Sequence, residues 1–228
     1  MTMGKRIKSI REKLPHSEVS LRDAVVSIKD SASAKFDESI EIAMGLSLDT
    51  RKSDQTIRGM VSLPNGTGRT VRVAVFAQDE KAKEAKAAGA DIVGSDDLVK
   101  MIKEGKINFD LCVATPDMMG MVGQVAKVLG PKGLMPTPKL GTVTQDVAAA
   151  VSLAKKGQAE FRADKSGIVH AGVGKKSFSV ESLIENIKAF ASAVVKAKPA
   201  GVKGSFLKSV HLSSTMGGSV KVLLAEVK

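Results

Sequence analysis

Glu38-Ser39-Ile40-Glu41-Ile42-Ala43-Met44-Gly45-Leu46-Ser47-Leu48 is the stretch on which the fold turns. Its apolar members Ile40, Ile42, Met44, Leu46 and Leu48 alternate without a break with small or polar residues, the period of a strand with one face in a core. A sheet open to water on its other face is implied. Upstream, Ser20-Leu21-Arg22-Asp23 sets a hydroxyl cap three residues before an acid, which predicts a helix to about Ser31. A basic stretch from Lys5 to Lys13 precedes it. Downstream, Gly59 to Leu63 reads as another strand, broken by Pro64-Asn65-Gly66-Thr67-Gly68.

The middle of the chain has a different pattern. Val71 to Ala77 is an apolar run in which Arg72 is the one charged residue, Asp79 to Ala88 is helix-like with alternating charge, and Asp91-Ile92-Val93 is a short strand. Asp96 to Lys103 reads as a helix, Leu111 to Ala114 as a strand and Met118 to Leu129 as a single apolar helix. Strand and helix thus alternate three times, the order of a parallel sheet covered by helices. Met118, Met121, Val122, Val125 and Leu129 recur at helical spacing, which assigns them to core packing and not to a cofactor box.

Past Gly157 the antiparallel pattern returns. Ala159, Phe161 and Ala163 alternate, Lys165-Ser166-Gly167 supplies a turn, and Ile168 to Val173 reads as the returning strand of a hairpin. A long helix from about Val180 to Lys196 carries the stripe Leu183, Ile187, Phe190 and Val194, and Pro199 closes the region. Two last strands, Ser205 to Ser213 and Ser219 to Glu226, flank Ser214-Thr215-Met216-Gly217-Gly218. Because the flanks share one pattern and the middle another, the expected fold class is α/β with an insertion. Residues 1–67 and 158–228 form a discontinuous α+β domain, and residues 68–157 form an inserted domain with a parallel sheet. The alternative is one mixed domain. Gly and Pro at both crossings suit a hinge.

The 228 residues carry a formal net charge of +11, with 11 Lys and Arg against 5 Asp and Glu after Gly157. That balance favours an anionic partner, RNA or a membrane surface. No apolar run approaches the roughly 18 residues that cross a bilayer, and no apolar signal core opens the chain, so a cytoplasmic protein without a membrane partner is expected. The single cysteine, Cys112, lies in an apolar run and reads as a buried, reduced thiol.

Catalytic patterns fail on inspection. Gly172-Val173-Gly174-Lys175-Lys176-Ser177 resembles the end of a phosphate loop, but Val169 stands where the first glycine is required and Lys176 where Ser or Thr is required. Pro64 to Arg69 precedes a strand, the wrong context for a dinucleotide loop. His16, His170 and His211 have no second ligand at helical or hairpin spacing, and no nucleophile elbow appears. No enzyme activity, metal or cofactor is expected.

Binding remains. RNA recognition wants cations for phosphate, donors in loops and a few apolar faces for bases or ribose. The chain has no Trp or Tyr and seven Phe, so Phe36, between Lys35 and Asp37 at a polar junction, stands out. It either contacts RNA or caps the core of the first domain. Met216, beside two glycines at a hairpin tip, either contacts RNA, with Thr215 and glycine amides as donors to ribose and phosphate, or folds back onto the sheet.

At these residues the sequence resembles the ribosomal protein L-one family nearly end to end. The most specific stretch is Met118-Met119-Gly120-Met121-Val122-Gly123-Gln124-Val125-Ala126-Lys127-Val128-Leu129-Gly130-Pro131-Lys132-Gly133-Leu134-Met135-Pro136. Ala34-Lys35-Phe36-Asp37-Glu38, Arg51-Lys52-Ser53-Asp54-Gln55, Arg58-Gly59, Phe161-Arg162-Ala163-Asp164-Lys165-Ser166-Gly167 and Ser214-Thr215-Met216-Gly217 support it. The resemblance implies an RNA-binding domain built from both chain ends and a Rossmann-like insertion. It implies binding to large-subunit rRNA in the mobile stalk, help in releasing deacylated tRNA from the exit site, and repression of the protein's own operon mRNA. It gives Lys35, Phe36, Thr215, Met216 and Gly217 as the main RNA contact, and Asp164, Lys165, Gly167, His170, Lys175 and Ser177 as a second strip. Lys132, in Gly130-Pro131-Lys132-Gly133, either contacts RNA or helps shape the insertion. Gly218 departs from the Gly-Pro of many relatives. A monomer is expected when the protein is free of the ribosome.

Overall fold

The structure, a computed structural model, describes residues 4–15, 17–52, 55–199, 201–202 and 204–227. His16, Ser53 and Asp54 lie outside the described residues. In chain order the elements are α1 (Lys5–Lys13), α2 (Leu21–Ser31), β1 (Ser39–Leu46), β2 (Arg58–Ser62), β3 (Val73–Phe76), α3 (Asp79–Ala87), β4 (Ile92–Gly94), α4 (Asp96–Lys103), β5 (Leu111–Ala114), α5 (Met119–Gln124), α6 (Ala126–Leu129), α7 (Val147–Gly157), β6 (Gln158–Arg162), β7 (Ile168–Lys175), α8 (Val180–Lys196), β8 (Leu207–Ser214) and β9 (Ser219–Val222). They gather into two compact units, one from residues up to 68 and from 159 onward, the other Arg69–Gln158.

In the first unit an antiparallel sheet runs in the order β7-β1-β8-β9. Ile40, Ile42, Met44 and Leu46 all turn inward, as the alternation predicts, and Met44 stands between Val169 of β7 and Val210 of β8. Helices α2 and α8 cover this face with Ala24, Val25, Ile28, Leu183, Ile187, Phe190 and Val194, all buried. Ser20 caps α2 by accepting the Asp23 amide at 3.1 Å, and the Glu226 carboxylate accepts the Leu21 amide at 2.7 Å. Ser179 caps α8 in the same way, through the Ser182 amide at 3.1 Å. The opposite face of the sheet presents Glu41, Ala43, His170, Gly172, His211, Ser213 and Lys221.

Two expectations for this unit need correction. The predicted hairpin of β6 with β7 exists only at its turn, where one bridge joins Ala163 to Val169. Beyond that bridge β6 pairs with β2 and β7 with β1. The last strand stops at Val222 and gives way to a 3₁₀ turn over Leu224–Glu226, which brings Glu226 to the start of α2. The basic Lys5–Lys13 stretch is a helix, anchored by buried Ile10 and, just past its end, Leu14.

The second unit holds a parallel sheet in the order β4-β3-β5. Val73 and Val75 pack with Ala85, Val147, Val151 and Ala154, while Ala74 and Phe76 pack on the other side with Leu98, Ile102, Met118 and Val122. Both faces are therefore covered, and the strand reads apolar throughout for that reason. Helix α7, capped by Asp146 through the Ala149 amide at 3.0 Å, supplies one of these covers and was not foreseen. The apolar helix expected from Met118 to Leu129 is broken at Val125, whose amide bonds back to Val122 at 3.0 Å, a tight three-residue turn. Gly120 and Gly123 lower the helix propensity of the segment just before the break. Cys112 is buried, and burial pushes its thiol up to about 12, so it stays protonated and inert.

Gly59 lies against the ring of Phe161, which meets Phe190 edge-on with ring centroids 5.7 Å apart. A Cβ at Gly59 would fall 2.6 Å from Phe161 Cζ, so Gly59→Ala forces the aromatic pair apart. We expect this substitution to lower unfolding stability by about 1–3 kcal/mol, read by denaturant unfolding of the whole chain. An unchanged midpoint would mean that the ring moves freely.

Candidate nucleic-acid interface

The alternation that buries Ile40 and Ile42 also buries Glu38, two residues earlier on the same face. A carboxylate there requires partners. Its two oxygens each take one: Oε1 accepts the Ala34 amide at 2.8 Å, and Oε2 accepts the Met216 amide at 3.1 Å. The Glu38 carbonyl accepts the Lys176 amide at 2.8 Å, and the Lys176 ammonium donates to the Ala32 carbonyl. Burial works against the charge on Glu38, but the amides of Ala34 and Met216, with the Ser214 hydroxyl and Lys176 nearby, outweigh it and hold the carboxyl below its ordinary range.

One buried acid thus joins segments that the sequence separates by about 180 residues. Around it the Ser39 amide donates to the Thr215 hydroxyl at 2.9 Å, the Thr215 amide to the Ser39 carbonyl at 3.0 Å, and the Gly217 amide to the Ser214 carbonyl at 3.1 Å. Gly217 passes so close to Ser214 that a Cβ would fall 2.3 Å from its hydroxyl oxygen. The Arg6 guanidinium donates to the Met216 carbonyl at 2.6 Å. The Thr215 hydroxyl and the amides of Thr215, Met216 and Gly217 are therefore bonded within the protein. What the turn offers outward is the Met216 side chain, 44% exposed, with Phe36, 53% exposed, on the other clamped segment. Phe36 does not cap the core, and Met216 does not fold back. Lys35 beside it is exposed.

The second strip divides. Lys175 and Ser177 join the same end of the sheet: Lys175 Nζ donates to Ser39 Oγ at 2.8 Å, and Ser177 donates to the Asp37 carboxylate through its amide at 3.1 Å and its hydroxyl at 2.8 Å. Asp164, Lys165 and Gly167 lie at the far end of β7, roughly 23 Å away at strand rise. There Asp164 accepts the amides of Ser166 at 2.8 Å and Ile168 at 2.9 Å, and these bonds, the Ile168 amide foremost, hold its carboxyl below the usual range. Gly167 takes φ of 75°, which favours glycine, and its carbonyl accepts the Leu46 amide at 2.9 Å. His170 stands between the two ends on the outer face. Lys132, in the other unit, is exposed in the turn closed by the Gly133 amide on the Gly130 carbonyl at 3.0 Å. Lys132 has no ion pair among the described residues.

Two residues of this site, Glu38 and Arg6, escaped sequence reasoning. Glu38 was open to detection, since its parity with Ile40 and Ile42 puts an acid on the buried face. Arg6 carried no such signal.

Glu38→Gln replaces two acceptors by one acceptor and one donor, so either the Ala34 or the Met216 amide loses its partner. We expect a loss of about 1.5–3 kcal/mol of stability at neutral pH, measured by denaturant unfolding. Because the folded-state carboxyl titrates below its reference of 4.5, its contribution is complete above that pH and fades as pH falls through the folded value. The stability difference between wild type and Glu38→Gln therefore narrows below about pH 4.5. A difference constant from pH 7 down to pH 3 would contradict the assignment.

A family model described as the ribosomal protein L1p/L10e family matches residues 28–218, a span that includes both clamped segments. This is a family of structural, non-enzymatic proteins of the large ribosomal subunit that bind rRNA. No helix among the described residues is long and apolar enough to cross a membrane. The chain belongs to the ribosomal protein L1p/L10e family and is a ribosomal protein that binds large-subunit rRNA.

Proposed function

We propose that the patch formed by Lys35, Phe36, Thr215, Met216 and Gly217 is the main contact with rRNA of the mobile stalk. The observation that carries this reading is the exposure of Phe36 and Met216 on two segments tied to one buried carboxylate. Among the described residues Phe36 is the one exposed Phe. An aromatic ring and a thioether held out on internally satisfied turns suit packing on bases and ribose. Lys175 and Ser177 lie beside the patch and extend it. Asp164, Lys165, Gly167 and His170 form the second strip along β7, with Asp164 and Gly167 acting through the turn they build and Lys165 and His170 facing RNA.

In this reading the unit built from both chain ends is the RNA-binding domain, and the Rossmann-like insertion brings Lys132 to RNA. The same patch, by binding a similar structure in the protein's own operon mRNA, represses its translation. On the ribosome the protein assists release of deacylated tRNA from the exit site. Free of the ribosome it is a cytoplasmic monomer, with no cofactor.

The reading is tested by binding of a stalk-rRNA fragment to wild type, Phe36→Ala and Met216→Ala. Each substitution removes an exposed apolar face, so each weakens binding by about 1 kcal/mol or more while the unfolding midpoint stays within experimental scatter. Thr215→Val removes the acceptor for the Ser39 amide, so it weakens binding and lowers stability together. Full affinity in both Phe36→Ala and Met216→Ala would remove the patch as the contact.

A further inference from the structure

Helix α1 lies against the Thr215-Met216-Gly217 turn, and the family match begins after it, at residue 28. Its apolar side is Ile7 and Ile10, continued by Leu14, and Ile10 and Leu14 reach over Gly218. A Cβ at Gly218 would fall 2.6 Å from Leu14 Cδ1 and 3.7 Å from Ile10 Cγ2. Arg6 fastens the helix to the Met216 carbonyl at 2.6 Å. On the remaining sides stand Lys5, Lys8, Arg11 and Lys13, all exposed, with Glu12 the one acid of the helix.

Between α1 and the outer face of the sheet runs a groove of about 670 Å³, lined among others by Arg11, Glu41, His211, Ser213, Thr215 and Lys221. Thr215 and Gly217 line it as well, so the groove opens directly from the patch that carries Met216. Its occupant must match two cations, several hydroxyls and an imidazole, and must be continuous with whatever covers Met216. A sugar–phosphate strand meets these terms: Arg11 and Lys221 face phosphate, Ser213 and His211 face ribose, and Glu41 accepts from a 2′-hydroxyl. Lys221 keeps a counter-charge in Glu18 at 2.6 Å, which leaves Arg11 the stronger phosphate ligand.

We propose that α1 and the groove beneath it form a second RNA-backbone site, continuous with the Met216 patch, in which Lys8 and Arg11 neutralise phosphates. The proposal rests on the reading of that patch as the rRNA contact. Fluorescence anisotropy of a labelled stalk-rRNA fragment, titrated with the full chain over a range of salt, tests it. The double variant Lys8→Gln, Arg11→Gln removes two exposed charges without touching the buried anchors. It should bind about tenfold more weakly near 0.1 M salt, with a salt slope smaller by roughly 1.4–1.8. Its unfolding midpoint should match that of wild type. Unchanged affinity and slope in the double variant, with binding still weakened in Met216→Ala, overturn the α1 site and leave the patch standing. Unchanged binding in both variants overturns the patch as well.

Discussion

A single buried carboxylate organises the functional end of this molecule. Glu38 is buried just before β1, in step with its core face, where an unpaired charge is costly, and two backbone amides, one close by at Ala34 and one remote at Met216, meet that cost. The consequence reaches beyond local stability. Each amide belongs to a segment with one large apolar side chain held in water, Phe36 on one and Met216 on the other. A charge that must be satisfied inward thus fixes two hydrophobic contacts outward.

The rest of the first unit serves this arrangement. The antiparallel sheet can leave one face open because α2 and α8 cover the other. Beneath the turn, Gly217 and Gly218 are positions where a side chain would collide, with Ser214 at one and Leu14 at the other. Gly218 thus makes room for Leu14. The second unit is built on a different principle, a parallel strand set buried on both faces, and its cores are its own.

Much of this was legible in the sequence, and the failures have physical causes. The period-two run in β1, the apolar run of β3 and the stripe of α8 each reflect burial on one face, two faces or one stripe, so they read correctly. The continuous helix from Met118 to Leu129 did not survive, because a periodic apolar pattern records which residues are buried and not whether glycines interrupt the backbone. The hairpin of β6 and β7 failed because a good turn does not choose the partner of the strands it joins. At the site, exposure of Met216 followed from its place beside glycines at a strand junction. The use of Thr215 and the turn amides as internal bonds did not, since the partners Ser39 and Glu38 are remote in sequence.

The central claim is that the clamped pair of side chains meets RNA. The most direct measurement is a titration of the methyl-¹³C-methionine protein with a stalk-rRNA fragment, followed by NMR of the ten methionine methyl groups. The account predicts that the Met216 methyl signal shifts or broadens first and most, while that of Met44, buried beneath the same sheet, stays in place. A Met216 signal unmoved at saturating RNA would contradict it.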